Sequence, residues 1–146
     1  MIDWAVISNL CLAFFLGGVI GWFREKEGKT AGMRTHILVS LGSALFMVIS
    51  RDMMSLTGIA DPGRIAAGVV TGIGFIGAGC IVQTGSGVMG ITTAASIFVT
   101  SAIGIAAGAG FATSAIATTF LVVTALQLLR EVERRIIKTK GRTREE

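Results

Sequence analysis

The chain alternates long apolar runs with short polar interruptions. Trp4 to Phe23 is uncharged throughout, and Thr35 to Ser50 is a shorter second run. The second reaches span length if its helix begins near Ala31 and Arg34 extends its charged head back to the interface. Ile65–Val82, Ile91–Gly108 and Phe111–Leu129 follow, the last two divided only by Ala109 and Gly110. A hydrocarbon layer about 30 Å thick takes roughly 17–25 helical residues, so each run predicts a membrane-spanning helix.

Within these runs small residues recur every fourth position. Asn9, Ala13, Gly17 and Gly21 share one face of the first helix; Thr92, Ser96, Thr100, Gly104 and Gly108 share one face of the fourth. The third opens with Gly68 and Gly72 at the same spacing. In lipid, helices associate by close packing of small residues, so these faces predict tight helix contacts within or between subunits. The hydroxyls of the fourth helix also keep open a polar, hydrated path. "GIGFIG" (72–77) matches the dinucleotide fingerprint only as a string of letters. It lacks the strand before it, and no acidic residue follows until Glu131, where the motif needs one about 20 residues on.

Composition agrees with a bilayer. Of the 146 residues, 52% are hydrophobic and 15% charged, with a mean hydropathy of +0.75. A soluble domain is nearer a quarter charged, about 25%. Charge also orients the chain. With five spans, eleven Lys and Arg lie in the 24–34 loop and the tail on one side, against Arg51 and Arg64 on the other. The positive-inside rule then places the N-terminus outside and the C-terminus in the cytoplasm. The expected fold is an all-α integral membrane protein of about five transmembrane helices. Residues 1–129 form the membrane domain, and 130–146 a basic cytoplasmic tail near anionic headgroups. The net charge of +4 follows from orientation and indicates no nucleic-acid partner. Cys11 and Cys80 fall at different depths and predict no disulfide. The first basic residue, Arg24, comes after the first apolar run, so no cleavable signal is expected.

Candidate chemistry is sparse. Arg24, Glu25, Lys26, Glu27 and Lys29 alternate in sign, which suits a solvated interfacial segment. His36, with Ser40 and Ser43 beyond it, carries a polar strip into the second span. Such a histidine is read first as a hydrogen-bonded packing residue, with a ligand or proton-relay role as the alternative. Asp61 and Pro62 have the chemistry of a helix start; Arg64, opposing the dipole there, is placed to pair with Asp61 or to meet an external anion. "QTGSGVMG" (83–90) is a glycine-rich turn, after which Thr92 or Thr93 would cap the fourth helix. No nucleophile–base pair, metal-ligand cluster or cofactor motif is present in the sequence, so neither catalysis nor a bound cofactor or metal is expected.

Three segments, "GKTAGMRTHILVSLGSALF" (28–46), "DPGRIAAGVVTGIGFIGAGCI" (61–81) and "GVMGITTAASIFVTSAIGIAAGAG" (87–110), resemble the membrane domain of the MgtC/SapB (YhiD) family. The resemblance implies a bacterial inner-membrane protein. Some members are linked to growth in low magnesium and to survival inside phagocytes, and the best known are thought to act by binding other membrane proteins, including the F-type ATP synthase. By resemblance the motif positions are Arg24 and Glu25, Ala31-Gly32 with Arg34 and Thr35, Asp61 and Arg64, and Thr93. There are departures. Trp22-Phe23-Arg24-Glu25 stands where many members have Leu-Glu-Arg-Glu. Thr92 and Val99 stand where virulence-type members have Asn and Cys. Those members also continue into a soluble α/β domain where this sequence has a short basic tail. All three weigh against ATP-synthase inhibition. The expected function is therefore non-enzymatic: a homo-oligomer, dimer favoured, whose cytoplasmic face binds a ligand or another membrane protein during magnesium limitation or stress. The rival is a small homo-oligomeric transporter or channel for Mg²⁺ or another ion. The candidate residues are Arg24, Glu25, Arg34, Thr35, His36, Asp61, Arg64, Thr92, Thr93 and Ser96.

Overall fold

The computed structural model describes residues 3–59, 61–85 and 87–142, with side chains described as far as residue 128. Its order is α1 (Trp4–Lys26), α2 (Met33–Thr57), α3 (Pro62–Gly79), β1 (Val82–Thr84), β2 (Gly87–Met89), α4 (Ile91–Gly108) and α5 (Ala112–Arg142). Each of the five apolar runs forms a helix, and α4 has the predicted bounds, but α3 ends at Gly79 and leaves Val82, the expected end of the third run, in a strand. Three helices, α1, α2 and α4, are long and apolar enough to cross a membrane, and Ala112–Leu128 is a shorter apolar helix.

The other boundaries follow local chemistry. Asp3 caps α1 through the Ala5 and Val6 N–H groups. Asp61 caps α3, accepting the Gly63 N–H at 2.8 Å, and Pro62 occupies the first turn. The α2 helix starts at Met33, later than Ala31, and runs past Ser50 to Thr57 before Gly58 closes it in the left-handed conformation. Arg51 lies within it, and its guanidinium donates across to the Gly108 carbonyl at 3.2 Å. The break between α4 and α5 rests on Gly110 at φ +85°. The α5 helix continues beyond Leu129 to Arg142; residues 143–146 lie outside the described part.

The 83–90 segment is not a simple turn. Val82 pairs with Met89, Gln83 with Val88 and Thr84 with Gly87 in a small antiparallel hairpin. The cap of α4 also differs from expectation. Gly90, at φ +90°, holds that position without a side-chain bond, so neither Thr92 nor Thr93 caps the helix. A Cβ at position 90 would collide with the Cys80 carbonyl, so the hairpin's return is open to glycine alone.

Packing runs through small residues. A methyl group on Gly17 would stand 2.6 Å from the His36 carbonyl oxygen and 2.8 Å from Ser40 Cβ, and one on Gly21 would stand 2.5 Å from Met33 Cα. On α4, Gly104 meets the Ser40 carbonyl and Gly108 that of Ala44. These pairings make α1 antiparallel and α4 parallel to α2, with Ser40 held between Gly17 and Gly104. Ala13, Ile20, Ala44, Ile103, Ala107 and Ala115 complete the main core.

Inside and outside are exchanged relative to a soluble protein. Among the described residues, as many polar or charged side chains as apolar ones are buried, ten of each. Phe15, Trp22, Phe75, Phe111 and Phe120 face outward. Exposed apolar surface on this scale has no place in water. It is the surface of a membrane protein.

Candidate functional site

One face of α1 carries Ala13, Gly17, Ile20, Gly21 and Arg24, all buried. Arg24 therefore continues the packing face rather than the solvated charge run, and only 2% of it is exposed. Its Nη2 donates to Thr93 Oγ1 at 2.6 Å. Its Nε is buried and has no partner among the described residues. Glu25, one residue on, points out of the bundle and across the loop, where its Oε2 accepts the Met33 N–H at 2.8 Å. That carboxylate supplies the missing N-terminal cap of α2, whose own cap residue is Gly32. A methyl on Gly32 would lie 2.7 Å from the same oxygen.

His36 is wholly buried one turn into α2. Its Nδ1 lies 2.8 Å from the Gly32 carbonyl and its Nε2 lies 3.1 Å from Ser96 Oγ. A carbonyl only accepts, so Nδ1 carries a proton and, in the neutral ring, Nε2 is the acceptor. Ser96 Oγ also lies 2.8 Å from the Thr93 carbonyl. Its single proton can serve His36 or Thr93, and not both. Thr100 Oγ1 then donates to the Ser96 carbonyl at 2.7 Å. Below it Ser40 Oγ is buried with no partner among the described residues. Arg24, Thr93, Ser96, His36, Ser40 and Thr100 thus form a continuous polar seam where α1, α2 and α4 meet.

The structure divides the predicted residues. Arg24, Glu25, His36, Thr93 and Ser96 come together at one end of the bundle. Arg34 is exposed and Thr35 half-buried on the first turn of α2 at that same end. Thr92 is exposed; the helical turn gives its expected place on the packing face to Thr93, while Ser96, Thr100, Gly104 and Gly108 hold theirs. Asp61 and Arg64 are exposed at the start of α3, at the opposite end, where Asp61 acts as a cap. They are not part of the cluster. Gln127 Nε2 donates to Glu27 Oε1 at 2.9 Å, a contact that no sequence pattern indicates. It brings α5 to the end occupied by the 27–32 loop and the hairpin.

The chain matches the MgtC family over residues 10–135. It is 43% identical over 136 residues to the protein named putative magnesium transporter YhiD of Escherichia coli K12, covering 90% of this chain and 63% of that one. It is 41% identical over 136 residues to protein MgtC of Salmonella typhimurium, covering 93% and 57%. Protein MgtC of Brucella abortus is 42% identical over 122 residues, covering 82% and 50%. The chain thus spans between half and two thirds of the length of these relatives. No solved structure gives a significant match. Its three membrane-length helices, its inverted burial and a family match over most of its length make one conclusion: the chain belongs to the MgtC family.

Proposed function

We propose that this chain is a non-enzymatic, multi-pass protein of the bacterial inner membrane that supports adaptation to magnesium limitation by binding a ligand or partner at its cytoplasmic end. In this reading all five helices span, with the N-terminus outside and the C-terminus inside. Support for the orientation comes from the bundle itself. The basic 24–34 loop, the hairpin and Gln127 share one end, and α5 leads from that end into the basic segment. The names of the relatives, one a putative magnesium transporter, support a role tied to magnesium.

The observation that carries the reading is the buried Arg24–Thr93 contact beside the His36–Ser96 pair. Two residues separated by 69 positions are joined by a charged hydrogen bond in the buried interior of the bundle. A buried charge is costly and marks function more often than packing. We read the bundle as one half of a homodimer. Gly68, Gly72 and Gly79 on α3 have open space where Gly17, Gly21, Gly104 and Gly108 have a neighbouring helix. Open small-residue faces of this kind suit a second copy.

Growth of a strain lacking its own MgtC-type protein tests the proposal. The wild-type chain should restore growth in low magnesium, and Thr93→Val or Arg24→Gln at equal membrane abundance should not. Restoration by both variants would refute it. A transport reading draws on one separate observation, the unpaired Ser40 hydroxyl within the polar seam, and is decided by flux.

A further inference from the structure

Arg24 combines three properties that packing alone does not explain. It is buried, and among the described residues its Nε–H has no acceptor and no carboxylate is in ion-pair contact with it. Glu25 gives its Oε2 to the Met33 N–H, and Glu27, whose field reaches Arg24, gives its Oε1 to Gln127. A buried charge with no ion-pair contact is costly even where the field of a carboxylate reaches it, and an orphaned buried donor calls for an acceptor.

What Arg24 faces narrows the choice of acceptor. Its Nη2 bonds to Thr93, the third residue of α4, whose N-terminus has no side-chain cap. The opening N–H groups of that 18-residue helix therefore have no side-chain cap, and the helix dipole adds partial positive charge at the same place. The Thr93 hydroxyl accepts from Arg24 and retains a proton of its own to donate. A guanidinium edge, a hydroxyl and a helix N-terminus all donate, and together they match an oxyanion with several acceptor oxygens. A metal cation is excluded by the same donor set.

We propose that Arg24, the Thr93 hydroxyl and the uncapped N-terminus of α4 form a binding site for a phosphate-type oxyanion at the basic end of the bundle. The site rests on the reading of that end as the working face. The phosphate group can come from a lipid headgroup at the interface or from free phosphate in the cytoplasm. Both offer the same oxygens to the same donors.

The purified full chain separates the two sources. In detergent, inorganic phosphate is titrated against chloride at matched ionic strength while the thermal unfolding midpoint is followed. In parallel, the chain is placed in nanodiscs of phosphatidylglycerol diluted into a neutral galactolipid, and lipid phosphorus retained per protomer is measured after detergent extraction. A free-phosphate site raises the midpoint in the first arm; a lipid site retains phosphorus in the second. In whichever arm responds, Arg24→Gln and Thr93→Val should weaken binding at least tenfold, and Lys29→Gln, an exposed loop substitution, should leave it unchanged. Thr93→Val preserves shape, so it answers even if Arg24→Gln fails to fold. No response in either arm, equal response from wild type and Thr93→Val, or equal loss in Lys29→Gln would each overturn the site. Binding lost in Thr93→Val with low-magnesium growth intact would leave the anion site standing and remove the functional reading. Growth lost without any phosphate response would do the reverse.

Discussion

Replacing Gly17 by alanine tests the packing that holds the polar seam together. The new methyl would stand 2.6 Å from the His36 carbonyl oxygen, 2.8 Å from Ser40 Cβ and 3.1 Å from the His36 carbonyl carbon. Two of these are backbone atoms of α2, so no side chain can turn aside and the two helices must part. Overpacking of this kind costs about 1–3 kcal/mol. Alanine recovers up to about 1 kcal/mol of helix propensity over glycine, which partly offsets that cost. Gly42 lies on the same pair's other helix with nothing within 4 Å of its added methyl, so Gly42→Ala shows the propensity gain alone. The two variants should therefore differ in unfolding free energy by about 1–3 kcal/mol, with Gly17→Ala the less stable. Reversible unfolding of the purified protein in mixed micelles measures the difference. Equal stabilities, or a more stable Gly17→Ala, would refute the close approach of α1 and α2.

Further outcomes follow from single contacts. Ser96→Ala removes the partner of His36 Nε2 and leaves a buried ring nitrogen unpaired, which should cost about 1–3 kcal/mol in the same unfolding measurement. Glu25→Ala uncaps α2, so amide exchange at residues 33–36 should speed up by a factor set by a cap worth about 0.5–2 kcal/mol, with α4 amides unaffected. Asp61→Ala should lose a similar amount of stability through α3 yet leave growth in low magnesium unchanged, because it caps a helix at the far end of the bundle.

Much of the fold is legible in the sequence because bilayer physics leaves few choices. Charge and run length locate the helices, and Asp61-Pro62 and Ala109-Gly110 mark two of their boundaries. The hairpin is less visible. Its strands are three residues each, too short for alternation to register, and Gly90 dictates its closure through a contact with the Cys80 carbonyl on the other side of the hairpin, which no residue pattern announces. The site is half legible. Family motifs and the polar strip single out Arg24, Thr93 and His36. The period of α1 was a further signal, since Arg24 lies four residues after Ile20 and three after Gly21 on the packing face. The alternating charges around it suggest a solvated loop instead, and the burial of Arg24 shows that the face prevails. Which of Thr92 and Thr93 turns inward depends on the rotation of α4 against α1, and that is set by Gly104 and Gly108 meeting α2. The pairs Arg24–Thr93 and His36–Ser96 span 69 and 60 residues, and no local pattern encodes a register across helices.

Magnesium flux into liposomes reconstituted with the pure, full chain is the most direct test of action by binding rather than by transport. The expected result is uptake no faster than in protein-free liposomes, with or without an imposed gradient of protons or potential. Protein-dependent uptake that saturates with magnesium and disappears in Ser40→Ala or Thr100→Val would contradict it, and would make the polar seam a conduction path.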